Sequence, residues 1–367
     1  VRPASLPQDA DGQSVAVEAW RGVAAWMVVY THFWAFSGTD WAPLRLTHTG
    51  VNLFFVVSGF VFAPYLFGRR LHWQAHAVRR LFRLYPAYLL ALALYAGLKA
   101  AEGQPLRYVA EHLTFLHVQS KEMAFYFNPP FWSLPAEVEF YLLLPLLAGA
   151  ARQAAYFWGP QGPVRLVLLM FFGATALRCA LGWNTDAQGV NAAFIVMHHL
   201  PGLMVEFLLG ALAWRASTCS LLKFQRLGLA ALGLAGWWGL AAWYGQVGDA
   251  GVYNSAMRGL LGATAAVCFA LLVAGTVRPK APLAPAATGA AWRWPALWAG
   301  RLSYGVYLFH MAALRLAEGW AADWGWSHGA TRSLAVALTL AMATAVYLAW
   351  ENPWRLFGRR WAARLSR

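Results

Sequence analysis

Apolar runs dominate this chain. Ten of them approach the length needed to cross the ~30 Å hydrocarbon core of a bilayer: roughly 15–36, 50–68, 84–100, 132–149, 164–182, 194–213, 226–245, 256–277, 295–317 and 331–350. The 84–100 run is short enough to need its flanking residues. The pattern predicts an all-α, polytopic membrane bundle of about ten helices, one membrane domain over 15–350. Residues 1–14 form a polar N-terminal segment without the basic start or apolar core of a signal peptide, and 351–367 reads as a basic tail. The longest outer loop, about 101–131, carries an apolar patch from His112 to His117 that can fold against the outer surface. The Pro/Ala-rich stretch from Pro279 to Pro295 reads as an inner linker.

Composition agrees with this class. The 367 residues are 60% hydrophobic and 12% charged, against about a quarter charged in soluble domains. Charge placement sets the orientation. With the N-terminus inside, the inner loops and tail hold sixteen Lys and Arg residues, whereas the outer loops hold only Arg45, Arg107 and Lys121. The positive-inside rule then predicts both termini in the cytoplasm. The net charge of +14 is mostly this topology signal, and no polar basic surface suggests nucleic acid. Cys179, Cys219 and Cys268 are far apart and form no C-x-x-C, which argues against a disulfide framework or a thiolate metal site.

Polar residues inside apolar helices are costly, so they mark candidate chemistry. Arg21 and His32 lie eleven residues apart, close to three helical turns, on one face and about 16 Å apart along the axis. Arg79, Arg80 and Arg83 follow the second run. A helical turn gathers Arg79 with Arg83, and guanidinium forks suit phosphate oxygens; topology anchoring or lipid-headgroup binding explains them equally well. The fourth run opens through Trp132-Ser133-Leu134-Pro135, with Ser133 as a helix cap. Glu137 and Glu139 follow, either as favourable charges at a helix N-terminus or, for Glu137, as a partner that meets His32 and orients its imidazole. Ser303, Tyr307 and His310 make an i, i+4, i+7 polar stripe that must face protein or water. His198, His199 and Glu206 share another helix and stay unranked. No metalloprotease, nucleophile-elbow or phosphate-loop signature is present, and no metal site is expected.

Together these stretches resemble the membrane-integral acyltransferase-3 family of bacterial O-acyltransferases. Arg21 and His32 match its arginine, ten-residue gap, histidine signature. Gly50 to Phe60 is similar to its second-helix stretch, and Arg80-Leu-Phe-Arg83-Leu-Tyr-Pro86 to its arginine pair. Trp132-Ser-Leu-Pro-Ala-Glu137 resembles its W-S-L-x-x-E block, which singles out Glu137 over Glu139. Ser303 to His310 and Glu351-Asn-Pro353 resemble its later motifs. Val138 replaces an acidic residue common in that block. Many relatives append an extracytoplasmic SGNH-type hydrolase domain, and none is expected here, so transfer would fall to the membrane domain or a separate periplasmic partner.

The resemblance implies an inner-membrane O-acyltransferase, most simply an O-acetyltransferase. Acetyl-CoA or another acyl-CoA would be the cytoplasmic donor substrate, with no bound cofactor. The acceptor would be a hydroxyl of a surface polysaccharide, lipopolysaccharide or lipid-linked glycan. It assigns His32 as general base, Glu137 as its orienter, Arg21 along the donor arm, and Arg79, Arg80 and Arg83 to the donor phosphates. Ser133, Ser303, Tyr307 and His310 would line a polar pathway. A glycan flippase without acyl chemistry, or an acyl-relay subunit serving another transferase, are the alternatives.

Overall fold

The computed structural model describes residues 15–34, 41–184, 192–278 and 292–366; the expected polar segment 1–14 and most of the inner linker lie outside them. The helices are α1 (Val15–Phe33), α2 (Gly50–Leu66), α3 (Trp73–Ala101), α4 (Val109–Leu113), α5 (Lys121–Phe125), α6 (Leu134–Trp158), α7 (Gly162–Asn184), α8 (Ala192–Met197), α9 (Leu200–Ser217), α10 (Lys223–Tyr253), α11 (Leu261–Thr276), α12 (Arg293–Trp324), α13 (His328–Val346) and α14 (Asn352–Leu365). The molecule is an all-α polytopic bundle. Each apolar run read from the sequence carries one of the long helices, and seven helical stretches are long and apolar enough to cross a membrane. Of the other long helices, α1 and α12 carry the buried polar groups of the site, and α11 is short.

Two boundaries differ from expectation. The third helix begins at Trp73, not at residue 84, so Arg79, Arg80 and Arg83 stand inside it. The apolar run alone is too short to span, and good helix formers such as Leu and Arg extend it inward, the arginine stems lying along apolar surface. The expected tail is also helical. α13 passes through a π-turn at Tyr347–Glu351 directly into α14. Phe82 of α3 packs on Trp354, Phe357 and Trp361 of α14, and a Cβ at Gly358 would overlap Phe82.

The burial pattern suits lipid. Leu142 and Leu146 of α6 point outward, one above the other at i, i+4. Arg178, Glu206 and His310 are buried instead, so the bundle hides its polar groups inside. α2 and α9 touch backbone to backbone: a Cβ on Gly59 would overlap the Phe207 carbonyl, and one on Gly210 the Val56 carbonyl. Such close approach is how small residues hold membrane helices together.

The patch in the 101–131 loop folds inward as expected. His112 and His117 stack at 4.1 Å between ring centroids, 9° from parallel, and both are fully buried. His112 Nδ1 donates to the Tyr108 carbonyl at 2.8 Å, and His117 Nε2 to that of Phe131 at 3.1 Å. Among the described residues, the other nitrogen of each ring has no hydrogen-bond partner. Asn128 Nδ2 ties the segment to the Leu308 carbonyl of α12 at 3.2 Å. Burial pushes both imidazoles down from 6.5 to about 4, the neighbouring His112 adding to the effect at His117. Both rings are neutral in the folded loop, while the unfolded segment takes up protons near pH 6.5. Loop stability is therefore full above that pH, falls as the pH drops from 6.5 towards 4, and levels off below. The loss should reach roughly 2–4 kcal/mol per ring. Amide exchange across 108–118, corrected for intrinsic rates, is expected to accelerate between pH 7 and pH 5. His112→Gln/His117→Gln should lack that pH dependence; an unchanged profile in the double variant would refute the assignment.

Candidate active site

α1 and α12 run parallel, which sets the geometry of the site. His32 meets His310, and ten residues earlier Gly22 lies against Ala299, so the two helices stay in register over this length. Arg21 therefore stands three turns from the histidine pair. A small cavity extends from Arg21 towards that pair as far as Tyr307, lined by Arg21, Ser58, Arg83, Glu137, Ser303 and Tyr307, with Ser133 also on its wall; neither histidine lines it. Its volume is about 40 Å³, room for two or three waters at ~10–15 Å³ each. As it stands the cavity is too small for an acyl arm, so a substrate of that kind would have to widen it.

At one end the cavity is ionic. Glu18, one turn before Arg21, holds that guanidinium at 3.5 Å. Its carboxylate is buried in a notch that exists because residue 300 is glycine; a Cβ there would strike Glu18. Arg83 sits in the combined field of Glu351, Glu18 and Glu137. Glu137 accepts from Ser58 Oγ at 3.3 Å and from the Tyr141 hydroxyl. Tyr141 and Phe62 lie beneath the Arg80 guanidinium, 5.6 Å and 5.0 Å from their ring centroids. A chain of contacts thus connects the basic turn of α3 with the cavity.

Beyond the Tyr307 wall, outside the cavity, are the two imidazoles. His310, fully buried, places Nδ1 3.0 Å from the carbonyls of both Val306 and Tyr307. A carbonyl only accepts, so His310 Nδ1 carries the proton and Nε2 the lone pair. His32 Nδ1 faces the Val28 carbonyl at 2.9 Å and His310 Nε2 at 3.2 Å, both acceptors. That nitrogen is therefore protonated as well, and in the neutral ring the lone pair belongs to His32 Nε2. Tyr307 stands between the imidazoles and the ionic end. Its hydroxyl donates to the Pro130 carbonyl at 2.5 Å and lies 2.6 Å from Ser133 Oγ. Its ring packs edge-on to Phe54.

The structure brings together most of the residues expected from sequence, with three changes. Glu137 pairs with Ser58 and Tyr141 rather than His32, whose ring is oriented by His310. Ser133 holds the cap position of α6 but makes no capping bond, its hydroxyl being drawn to Tyr307. Ser303 lines the cavity while returning its proton to the Gly300 carbonyl at 2.7 Å. Arg79 is half-buried in the same turn as Arg83. The unranked residues have structural partners. His199 and the Leu200 amide bond the two carboxylate oxygens of Glu139, His198 packs against Trp132, and Glu206 is paired with Arg178. Ser58 and Glu18 were not singled out from sequence. Ser58 is the only hydroxyl among the apolar residues 53–63, followed by a glycine at a close helix contact, and Glu18 is an acid at i−3 from a membrane arginine. Both signals were readable. Among the described residues no cluster of His, Cys, Asp and Glu could hold a metal.

A buried ionic and imidazole site within a polytopic bundle defines a membrane enzyme or transporter, and comparison with known proteins decides the class. The family model described as an acyltransferase domain matches residues 14–351. The chain belongs to this acyltransferase-3 family, and is a multi-pass membrane protein. It is 27% identical over 220 residues to a Komagataeibacter xylinus protein named as a membrane-bound transacylase, BcsY, covering 54% of this chain and 50% of that one. It is 36% identical over 97 residues to protein 2 in the picA locus of Rhizobium radiobacter, covering 25% and 49%. The chain thus spans about half the length of these curated relatives. No solved structure matches it.

Proposed function

We propose that this chain is an inner-membrane O-acyltransferase that moves an acyl group, most simply acetyl, from cytoplasmic acyl-CoA to a hydroxyl of a surface glycan or its lipid-linked precursor. The observation that carries this reading is the cavity lined by Arg21, Arg83 and Glu137, with the His32–His310 pair just beyond its Tyr307 wall. The helix rise puts about 16 Å between Arg21 and His32, comparable with the reach of a pantetheine arm. The donor phosphates lie at Arg79, Arg80 and Arg83, the arm passes Arg21, and the thioester reaches His32 once Tyr307 yields. His32 Nε2 takes the proton of the acceptor hydroxyl as its oxygen attacks the thioester carbon. The carbon–sulfur bond breaks, the thiolate leaves as coenzyme A, and the imidazolium gives up its proton to restore the base. His310 fixes the His32 tautomer. Glu18 and Glu137 hold the guanidinium groups in place.

The test is thiol release from acetyl-CoA by the purified protein in vesicles, with and without glycan acceptor. Acceptor-dependent release with label on the glycan supports the reading. Glycan movement without thiol release identifies a flippase, and release only with a second protein identifies a relay subunit. Arg80→Gln/Arg83→Gln should insert normally and weaken acyl-CoA binding tenfold or more, since hydrogen bonds to charged groups contribute about 1.5–3 kcal/mol each. Unchanged affinity would return these residues to topology anchoring.

A further inference from the structure

A second basic feature lies at the end of α2, past the turn that meets Arg80. The end of α2, the α6–α7 hairpin and the end of α9 leave an open cleft of about 480 Å³, within the usual size range of small-molecule pockets and far larger than the cavity beside Arg21. Its polar walls are Arg152 of α6 with Arg215 and Thr218 at the end of α9, and no acidic residue lines it. Among the described residues, neither arginine has a carboxylate within ion-pair distance. The hydrogen bonds of the Arg215 guanidinium are to Thr218 Oγ1 at 3.5 Å and Cys219 Sγ at 3.6 Å, both weak. On the apolar side Phe67 and Trp214 stack 5.5 Å apart and 8° from parallel. Two uncompensated guanidinium groups with a hydroxyl suit a phosphate, and a flat aromatic wall suits a planar base.

We propose that this cleft receives the 3′-phosphorylated adenosine end of coenzyme A. The assignment rests on the acyl-CoA reading above and extends it. Coenzyme A carries two separate phosphate groups, a diphosphate in its chain and a monophosphate on the ribose. The chain offers two basic sites close to one helix end. Arg80 lies over Phe62 and Arg69 over Tyr65, and the cleft begins at Leu66, about one turn or 6 Å further along α2. The diphosphate sits on the α3 arginines while the adenosine folds round the end of α2 into the cleft. Along α6 the cleft floor at Ala151 is fourteen residues below Glu137, about 21 Å, a distance that leaves the pantetheine arm to reach the catalytic cavity.

The test compares coenzyme A with 3′-dephospho-coenzyme A, bound to the full chain in neutral phosphatidylcholine nanodiscs. The parent should prefer coenzyme A tenfold or more. Arg152→Gln/Arg215→Gln should erase that preference while leaving dephospho-coenzyme A affinity unchanged, and Arg152→Lys/Arg215→Lys should keep much of it. Arg80→Gln/Arg83→Gln should weaken both ligands and preserve the preference. Both cleft arginines are solvent-accessible, so the Gln variant should fold. Retention of the preference in that variant, or its absence in the parent, overturns the proposal. If the parent binds neither ligand, the acyl-CoA reading itself fails. If native mass spectrometry shows phosphatidylglycerol held by the parent and lost in the Gln variant, with the preference unchanged, the cleft is a lipid-headgroup site instead.

Discussion

His32→Ala is expected to lower acyl transfer by about 10²–10⁴-fold, the usual contribution of a positioned general base, while acyl-CoA binding stays near that of the parent. The separation follows from geometry, because the imidazole lies beyond the Tyr307 wall of the cavity, about three helical turns from Arg21. Single-turnover transfer and equilibrium donor binding, measured on the same preparation, make the comparison. His310→Ala should cause a smaller loss, since His32 keeps its Val28 contact and its basic Nε2 but loses the neighbour that completes its orientation. Glu137→Gln should raise the KM for the donor more than it lowers kcat, because Glu137 faces Ser58, Tyr141 and the arginines and not the base. Transfer above a few per cent in His32→Ala would remove it as the base. A Glu137→Gln variant that binds donor normally but cannot turn over would reassign that carboxylate to the chemistry.

Much of this arrangement was readable from single helices, and the remainder depends on how helices meet. The Arg21–His32 spacing fixes a shared face and an axial distance whatever surrounds α1, so the level of the guanidinium and that of the imidazole were both legible. The stripe of Ser303, Tyr307 and His310 was legible for the same reason, because polar groups on an apolar helix must point inward. Their partners were not. His310 reaches His32 because α1 and α12 run parallel in one register, which no pattern within either helix encodes. Glu137 was placed with His32 because both lie towards the outer end; axial level alone does not give azimuth, and α6 turns that carboxylate to Ser58. The start of α3 was misplaced because hydropathy ends at the arginines while helix propensity does not. The continuation of α13 into α14 is hidden similarly: basic residues look like a tail until Phe82 supplies an aromatic face for Trp354 and Trp361 to cover.

Outside the candidate site, the largest expected effect on the fold belongs to Arg178. This guanidinium is buried where α7, α9 and the segment before α11 meet. It donates to Glu206 Oε1 at 2.7 Å and to the carbonyls of Gly202 at 2.8 Å and Gly259 at 2.5 Å. Glu206 has no exposed surface, and Asn52 Nδ2 of α2 donates to the same oxygen at 3.0 Å. Four segments are therefore tied to one ion pair. Arg178→Met would leave a carboxylate buried without its cation and two carbonyls without their donor. Removing one partner of a buried pair costs about 3–5 kcal/mol, so the melting temperature in detergent should fall by on the order of 10 °C. Arg178→Met/Glu206→Leu should recover a substantial part of that loss, because the isolated charge is gone even though the carbonyls remain unpaired. Melting curves for the two single variants and the double variant give the coupling directly. An Arg178→Met protein that melts with the parent, or a double variant no more stable than Arg178→Met, would show that the pair does not hold these helices together.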